Sequence, residues 1–137
     1  MKIEIENTPS ESLTEFLHQQ IVEFNRAHRE WNERQPLAAV LRDEAGTIVG
    51  GAAGETFGNW LQLKTLWVDN SQRGKGVGSQ LLVAMEQQAA SRGCKFCLLD
   101  TLNIQARPFY EKCGYRVQWT QQHYPLTGSK YFMTKEL

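Results

Sequence analysis

Residues Lys2 to Glu6 alternate charged and apolar positions, with Ile3 and Ile5 on one side, and this period of two predicts a half-exposed first strand. Asn7-Thr8-Pro9-Ser10 interrupts it. Ser10 or Ser12 then caps a helix whose apolar residues Leu13, Phe16, Leu17, Ile21 and Phe24 fall at helical spacing, with the pattern running loosely on towards Trp31. Gln35-Pro36 closes the helical region. Leu37 to Arg42 is a short apolar strand, Asp43 to Gly46 a turn, and Thr47 to Phe57 a second strand. Its glycines Gly50, Gly51 and Gly54 point to close backbone approach or a bulge. After Gly58-Asn59, Trp60 to Val68 alternates again. Strict alternation puts Leu61, Leu63, Thr65 and Trp67 on one face and Gln62, Lys64, Leu66 and Val68 on the other. Turns this short predict three consecutive antiparallel strands.

Further on, Val77, Leu81, Leu82, Met85 and Ala89 form one apolar helical stripe, and Arg92-Gly93 is a suitable stop. Phe96 to Leu99 is a compact apolar run. It reads as a central strand reached by a crossover, and therefore parallel to the strand before the helix. Asp100 and Thr101 sit at its carboxyl end. A shorter helix starts near Gln105 to Arg107, because Pro108 is tolerated only in a first turn, and Gly114 ends it. Tyr115 to His123 and Tyr131 to Leu137 are two further strands. The expected fold is α/β (α+β), with a mixed, mostly antiparallel sheet of about seven strands and helices on both faces.

With 137 residues, 41% of them apolar, the chain is expected to form one domain, residues 1–137, around a single core. Lys plus Arg equals Asp plus Glu at 15 each, so no global field favours nucleic acid or an anionic membrane as a partner. No apolar stretch has the length of a membrane span or a signal-peptide core, and the expected location is the cytoplasm. Cys94 and Cys97 match CxxC, but they lie in a strand-like run after a helix, whereas a redox pair opens one. Neither they nor Cys113 has a second pair at zinc spacing. They read as structural thiols, and no metal is expected. His18 and His28, without ligand-spaced partners, read as surface residues.

The most informative stretch is Arg73-Gly74-Lys75-Gly76-Val77-Gly78, a basic glycine-rich loop that opens a helix. Glycine allows close main-chain approach and positive φ, and the first N–H groups of a helix lack intrahelical acceptors. These donors, the helix dipole and the two cations favour a phosphate-bearing ligand. The same residues would also serve as a plain glycine-rich turn with solvated charges. The loop is not a Walker A, because no Gly-Lys-Ser/Thr follows four spacers. An ATP module would in addition need a hydroxyl and acidic metal ligands. Nor do Gly74, Gly76 and Gly78 have the GxGxxG spacing of a dinucleotide site.

Two motifs together resemble the GNAT superfamily of acyl-CoA-dependent N-acetyltransferases. One is Arg73-x-x-Gly76-x-Gly78 after a strand ending in Trp67-Val68. The other is Asn103-x-x-Ala106-x-x-x-Tyr110-Glu111-Lys112-x-Gly114-Tyr115. The resemblance spans nearly the whole chain. It implies acetyl-CoA as acyl donor, held in a slot where the strand before the loop splays from the parallel strand after the helix. In that arrangement the main chain at Leu66, Trp67 and Val68 pairs with the pantetheine arm. Arg73, Gly74, Lys75, Gly76, Val77, Gly78 and Ser79 hold the pyrophosphate, and Asn103 reaches the pantetheine or the entering amine. Tyr110 matches the position of the proton donor to the CoA thiolate, a role suited to a phenol with a pKa of about 10. Its alternative role is packing on the slot.

The family carries no general base onto this chain. Glu55 is the first candidate, Asp100 the second and His123 the third. Trp31, Trp60, Tyr124 and Tyr131, with the segment 123–130, are candidates for the acceptor side. The expected reaction moves acetyl from acetyl-CoA to a primary amine of a small molecule or protein. The competing class is a non-catalytic acyl-CoA-binding or regulatory module. A homodimer through the last strands is compatible with either.

Overall fold

A computed structural model describes residues 1–28, 30, 33–102 and 106–137. The chain divides into two compact units, Met1–Asn32 and Glu33–Leu137. In the first, α1 spans Glu11–His28. Of the two candidate caps it is Ser10 whose Oγ accepts the Leu13 N–H, at 3.1 Å, satisfying one of the free donors of the first turn. His28 is exposed, as expected of a surface histidine, and returns its Nδ1 to the Phe24 carbonyl at 2.8 Å.

The expected strand at Lys2–Glu6 is not formed; these residues are exposed and enter no ladder. Alternation marks a stretch that can pair, but a strand exists only where a neighbour accepts its backbone hydrogen bonds. The sheet accordingly has six strands rather than about seven.

The second unit is built on that sheet, ordered β1-β2-β3-β4-β6-β5, with β1 Gln35–Arg42, β2 Ile48–Phe57, β3 Trp60–Val68, β4 Phe96–Leu102, β5 Arg116–Gln122 and β6 Ser129–Glu136. All pairs are antiparallel except β3 with β4. Pro36 is accommodated because β1 is an edge strand, where a missing N–H costs no ladder bond. Two helices, α2 (Val77–Ser91) and α3 (Ala106–Lys112), complete the unit. They share one face of the sheet: Leu81, Leu82, Met85 and Ala89 of α2 and Tyr110 of α3 join Leu61, Leu63, Cys97, Leu99 and Met133 in one core. Leu61, Leu82, Met85 and Met133 are essentially fully buried, and each contributes about 1.5–3 kcal/mol.

Two features correct or extend the sequence reading. The β2–β3 register steps from Ala53↔Thr65 to Gly54↔Leu63, which leaves Lys64 as the extra residue of a bulge. An extra residue inverts the alternation. Leu66 and Val68 therefore turn onto the core with Leu61 and Leu63, while Thr65 and Trp67 are exposed, contrary to the strict period of two. Gly54 makes the bulge possible, since any Cβ there would run into the Gln62 carbonyl oxygen. The other feature is Arg92, just past α2. Its Nη1 donates to the carbonyls of Gln35 (3.3 Å) and Pro36 (3.1 Å) and to Thr56 Oγ1 (3.2 Å), tying the helix end to the sheet edge.

Candidate active site

At the end of β3 the chain passes through a 3-10 turn, Asn70–Gln72, capped by Asp69, whose Oδ2 accepts the Ser71 N–H at 3.0 Å and hydroxyl at 2.6 Å. These two bonds hold the Asp69 carboxyl below its ordinary pKa. Arg73 then folds back, its Nε donating to the Val68 carbonyl at 3.0 Å. Gly74 and Gly76 both take left-handed backbone, φ 76° and 77°, which a side chain would strain. Gly76 is the N-cap of α2 and offers no side-chain acceptor. The first intrahelical bond runs from the Gln80 N–H to the Gly76 carbonyl, at 3.1 Å. The N–H groups of Val77, Gly78 and Ser79 therefore point out of the helix start. Ser79 Oγ does not compete for them, because it donates to the Gly76 carbonyl at 2.9 Å.

A cavity of about 280 Å³ opens over these donors, lined by Val68, Arg73, Gly74, Gly76 to Ser79 and Phe109. A Cβ on Gly78 would sit 3.3 Å from the Phe109 ring, so a side chain there would need that ring to shift. Lys75 is exposed and lies outside the lining.

The neighbouring slot comes from strand divergence. β3 and β4 pair only over Trp60–Gln62 and Phe96–Leu98, so beyond that point their facing edges share no ladder bonds. The gap is a cavity of about 310 Å³ walled by Leu63 to Leu66 of β3, Leu99 to Thr101 of β4, and Ala106 and Tyr110 of α3. Tyr110 is 8% exposed, with its ring edge-on to Phe109 at 5.1 Å and to Tyr115 at 5.9 Å. Burial pushes its phenol above the ordinary value, and Cys113, Cys97 and Asp100 act in the same direction, so the hydroxyl stays protonated at neutral pH.

Of the expected site residues, Leu66, Tyr110 and Asp100 meet in the slot, and Val68, Arg73, Gly74 and Gly76 to Ser79 meet in the cradle. Trp67 faces away from both, 45% exposed, because of the bulge. Glu55 lies outside the slot, in a cavity of about 220 Å³ with Arg34, Phe57, Trp60 and Leu98. Its Oε1 is 3.1 Å from Arg34 and 3.4 Å from Lys64, and Lys64 does reach the slot wall. Asp100 Oδ1 is 3.6 Å from Lys130 Nζ. His123 is exposed, at φ 57°. Trp60 stacks on Phe96 at 4.9 Å, Tyr131 carries the Arg107 guanidinium at 4.7 Å, and Lys130 sits over Tyr124 at 4.9 Å. Asn103 and Trp31 fall outside the described residues.

Sequence reasoning missed one cluster. Glu86, in the middle of α2 and 8% exposed, accepts the Tyr115 hydroxyl on Oε2 at 2.7 Å and the Lys135 ammonium on Oε1 at 2.9 Å. The available signal was its place directly beside Met85 in the buried stripe. Cys94 and Cys97 are free and buried, as their strand-like context predicts, and burial pushes the Cys97 thiol up to about 11. Among the described residues no group of three or more His, Cys, Asp or Glu is placed to hold a metal ion. No described helix is long and apolar enough to cross a membrane.

The chain has counterparts among known proteins. The sequence model of the acetyltransferase (GNAT) family matches residues 4–115, and the chain belongs to that family. It is 36% identical over 109 residues to the blasticidin-S acetyltransferase of Streptomyces morookaense, covering 77% of this chain and 80% of that protein. Against an acetyltransferase of Agrobacterium fabrum it is 32% identical over 95 residues, 69% of each chain. A crystal structure of an acetyltransferase from Bacillus cereus superposes with a TM-score of 0.89 at 33% identity, covering 98% of both chains. The chain is thus an acyltransferase.

Proposed function

We propose that the protein is an N-acetyltransferase that moves an acetyl group from acetyl-CoA to a primary amine of a small molecule or protein by direct attack. Residues 1–137 act as one transferase domain, a reading supported by a family match that extends from residue 4 into the second unit. The observation that carries the proposal is the divergence of β3 from β4 beyond Gln62 and Leu98, which leaves two unpaired strand edges beside Tyr110 and next to the Gly76 helix start. An extended pantetheine arm suits such edges as an added strand does, and the outward N–H groups of Val77 to Ser79 suit its pyrophosphate.

In the reaction the amine nitrogen forms a bond to the thioester carbonyl carbon, and collapse of the tetrahedral intermediate breaks the C–S bond. Tyr110 gives its hydroxyl proton to the departing thiolate, and a base takes the surplus proton of the amine. Glu55 is the proposed base, supported by its contact with Lys64, which lines the slot. Asp100, beside Tyr110 in the slot itself, is the second candidate. The relative named for blasticidin S makes that compound the first acceptor to try.

The test is thermal unfolding with acetyl-CoA, CoA, ATP and NAD, followed by turnover of the Tyr110→Phe variant. Saturation at 100 times Kd adds about 2.7 kcal/mol, so both forms of CoA should raise Tm by several degrees while ATP and NAD do not. Tyr110→Phe should keep that shift and lose turnover by about 10²–10⁴-fold. No shift with either form of CoA overturns the donor assignment, and unchanged turnover overturns the role of Tyr110.

A further inference from the structure

We infer that Glu86 and Tyr115 are positioning residues for Tyr110, holding the end of α3 so that the Tyr110 hydroxyl stays aimed into the slot. This deepens the reading of Tyr110 as the acid and rests on it. The Glu86 carboxylate is one of two buried polar side chains in the described core, and it sits on α2, facing the segment that follows α3. Three elements converge on it: α2 supplies the carboxylate, the turn after α3 supplies the Tyr115 hydroxyl at 2.7 Å, and β6 supplies the Lys135 ammonium at 2.9 Å. Lys135 also packs against the Tyr115 ring, with Nζ 5.6 Å from its centre.

A buried carboxylate paired with an ammonium that is 26% exposed is a poor source of stability, because screening weakens the attraction and desolvation of the carboxylate offsets much of what remains. What such a cluster provides is directionality. A phenol locked by its hydroxyl cannot slide along the helix face, whereas a phenylalanine can.

Tyr115 in turn touches Tyr110 in two ways. Its N–H donates to the Tyr110 carbonyl at 3.0 Å, closing the C-terminal turn of α3, and its ring lies edge-on to the Tyr110 ring at 5.9 Å. α3 is only 7 residues long, too short to hold its own orientation. The other groups facing the cluster are the Cys97 and Cys113 thiols, both free. Neither supplies a charge that could replace Glu86 at neutral pH. The Cys113 N–H also donates to the Tyr110 carbonyl, at 3.0 Å, and Phe109 packs on its ring, but the line from Glu86 through Tyr115 is the one that ties Tyr110 to a charged anchor on another element.

The test uses the full chain with ¹³Cζ-labelled tyrosine, which gives four signals assignable by single Tyr→Phe variants. Tyr115→Phe removes one hydroxyl and leaves Glu86 paired to Lys135; the double variant Glu86→Leu with Lys135→Met removes the charges together and keeps the core filled. Both are expected to bind CoA as the wild type does and to shift and broaden the Tyr110 signal. Both should also lower thiol release from acetyl-CoA, with blasticidin S or water as acceptor, by about tenfold without raising the KM for acetyl-CoA. Adding Tyr110→Phe to either should cost nothing beyond Tyr110→Phe alone. An unmoved Tyr110 signal, or losses that multiply with that of Tyr110→Phe, overturns the inference. Wild-type turnover in Tyr110→Phe alone instead overturns the acid role, and the Tyr110 signal still decides whether Glu86 and Tyr115 position it.

Discussion

Gly50 and Gly54 lie four residues apart in β2, neither at positive φ, yet replacing them with alanine should have opposite consequences. At Gly54 a Cβ would run into the Gln62 carbonyl oxygen and come within 3.1 Å of the Gln62 carbonyl carbon and Leu63 Cα. These are main-chain atoms, and β3 cannot retreat because Gln62 is paired on its other side with Leu98. Relief therefore means opening the β2–β3 ladder at the bulge. Two ladder bonds at about 1 kcal/mol each, plus about 1–3 kcal/mol of overpacking, give a loss of about 3–5 kcal/mol. At roughly 3–5 °C per kcal/mol for a chain of this size, Gly54→Ala should melt about 10–20 °C below the wild type. Since Lys64 is both the bulge residue and a slot wall, the acetyl-CoA-dependent rise in Tm should also shrink. At Gly50 the added methyl meets Leu81 Cδ1 at 3.4 Å, the Trp67 carbonyl oxygen at 3.5 Å and Val77 Cγ1 at 3.6 Å, all ordinary contacts. The restricted unfolded chain then favours alanine, and Gly50→Ala should lie within about 1 kcal/mol of the wild type, on the stabilising side. Thermal melts followed by circular dichroism decide. If Gly54→Ala melts within a few degrees of the wild type, the bulge does not depend on a bare backbone there and the reasoning fails.

Arg92→Ala removes the donor to two carbonyls and a hydroxyl at the β1 edge and should cost about 1.5–3 kcal/mol in urea unfolding, with the m-value unchanged; a loss under about 0.5 kcal/mol would show that water replaces the guanidinium. Cys97, with its thiol pushed from 9.0 to about 11, makes the folded state bind more protons than the unfolded one between those values. Its contribution is complete below pH 9 and falls by about 2 kcal/mol as the pH rises to 11, so Cys97→Ala should flatten the alkaline decline in stability measured by urea melts. An identical decline in both proteins would refute the assignment.

How much of this was legible from the sequence depends on how far apart the cooperating residues lie. The cradle is local: a strand end, Arg73, two left-handed glycines and a helix start occur within a dozen positions, and the spacing reported the geometry. The succession of strands along the chain, with the antiparallel β1 to β3 and the parallel step to β4, was legible for the same reason, since each turn and each apolar run is contiguous. The insertion of β6 between β4 and β5 was not. Alternation misled twice, and for one cause. At Lys2–Glu6 it marked pairing capacity without a partner, and at Trp60–Val68 it hid an extra residue that only the register with β2 exposes. The apolar spacing Leu61, Leu63, Leu66, Val68 did carry the trace, a step of three in a pattern of two. It becomes readable once Gly54 is taken as the place where the partner strand comes too close for a side chain.

Glu86 was opaque because its partners stand 29 and 49 residues further on, and a carboxylate between Met85 and Ala89 looks like an interruption of a stripe until those partners close around it. The same distance rule bears on substrate choice. The charged and aromatic pairs nearest the proposed acceptor side come from separate segments: Glu55 and Lys64 from neighbouring strands, Asp100 paired with Lys130, and Arg107 laid over Tyr131. Each pair sets a carboxylate or an aromatic ring against a cation. If the acceptor enters as an ammonium, as the proposed reaction implies, it would have to displace Arg34 and Lys64 from Glu55, or Lys130 from Asp100, before either carboxylate could hold it. On the proposed reaction, selectivity for the amine then depends on how readily a basic side chain gives up its place, a property of residue pairs set in space by the bulge and the β6 register.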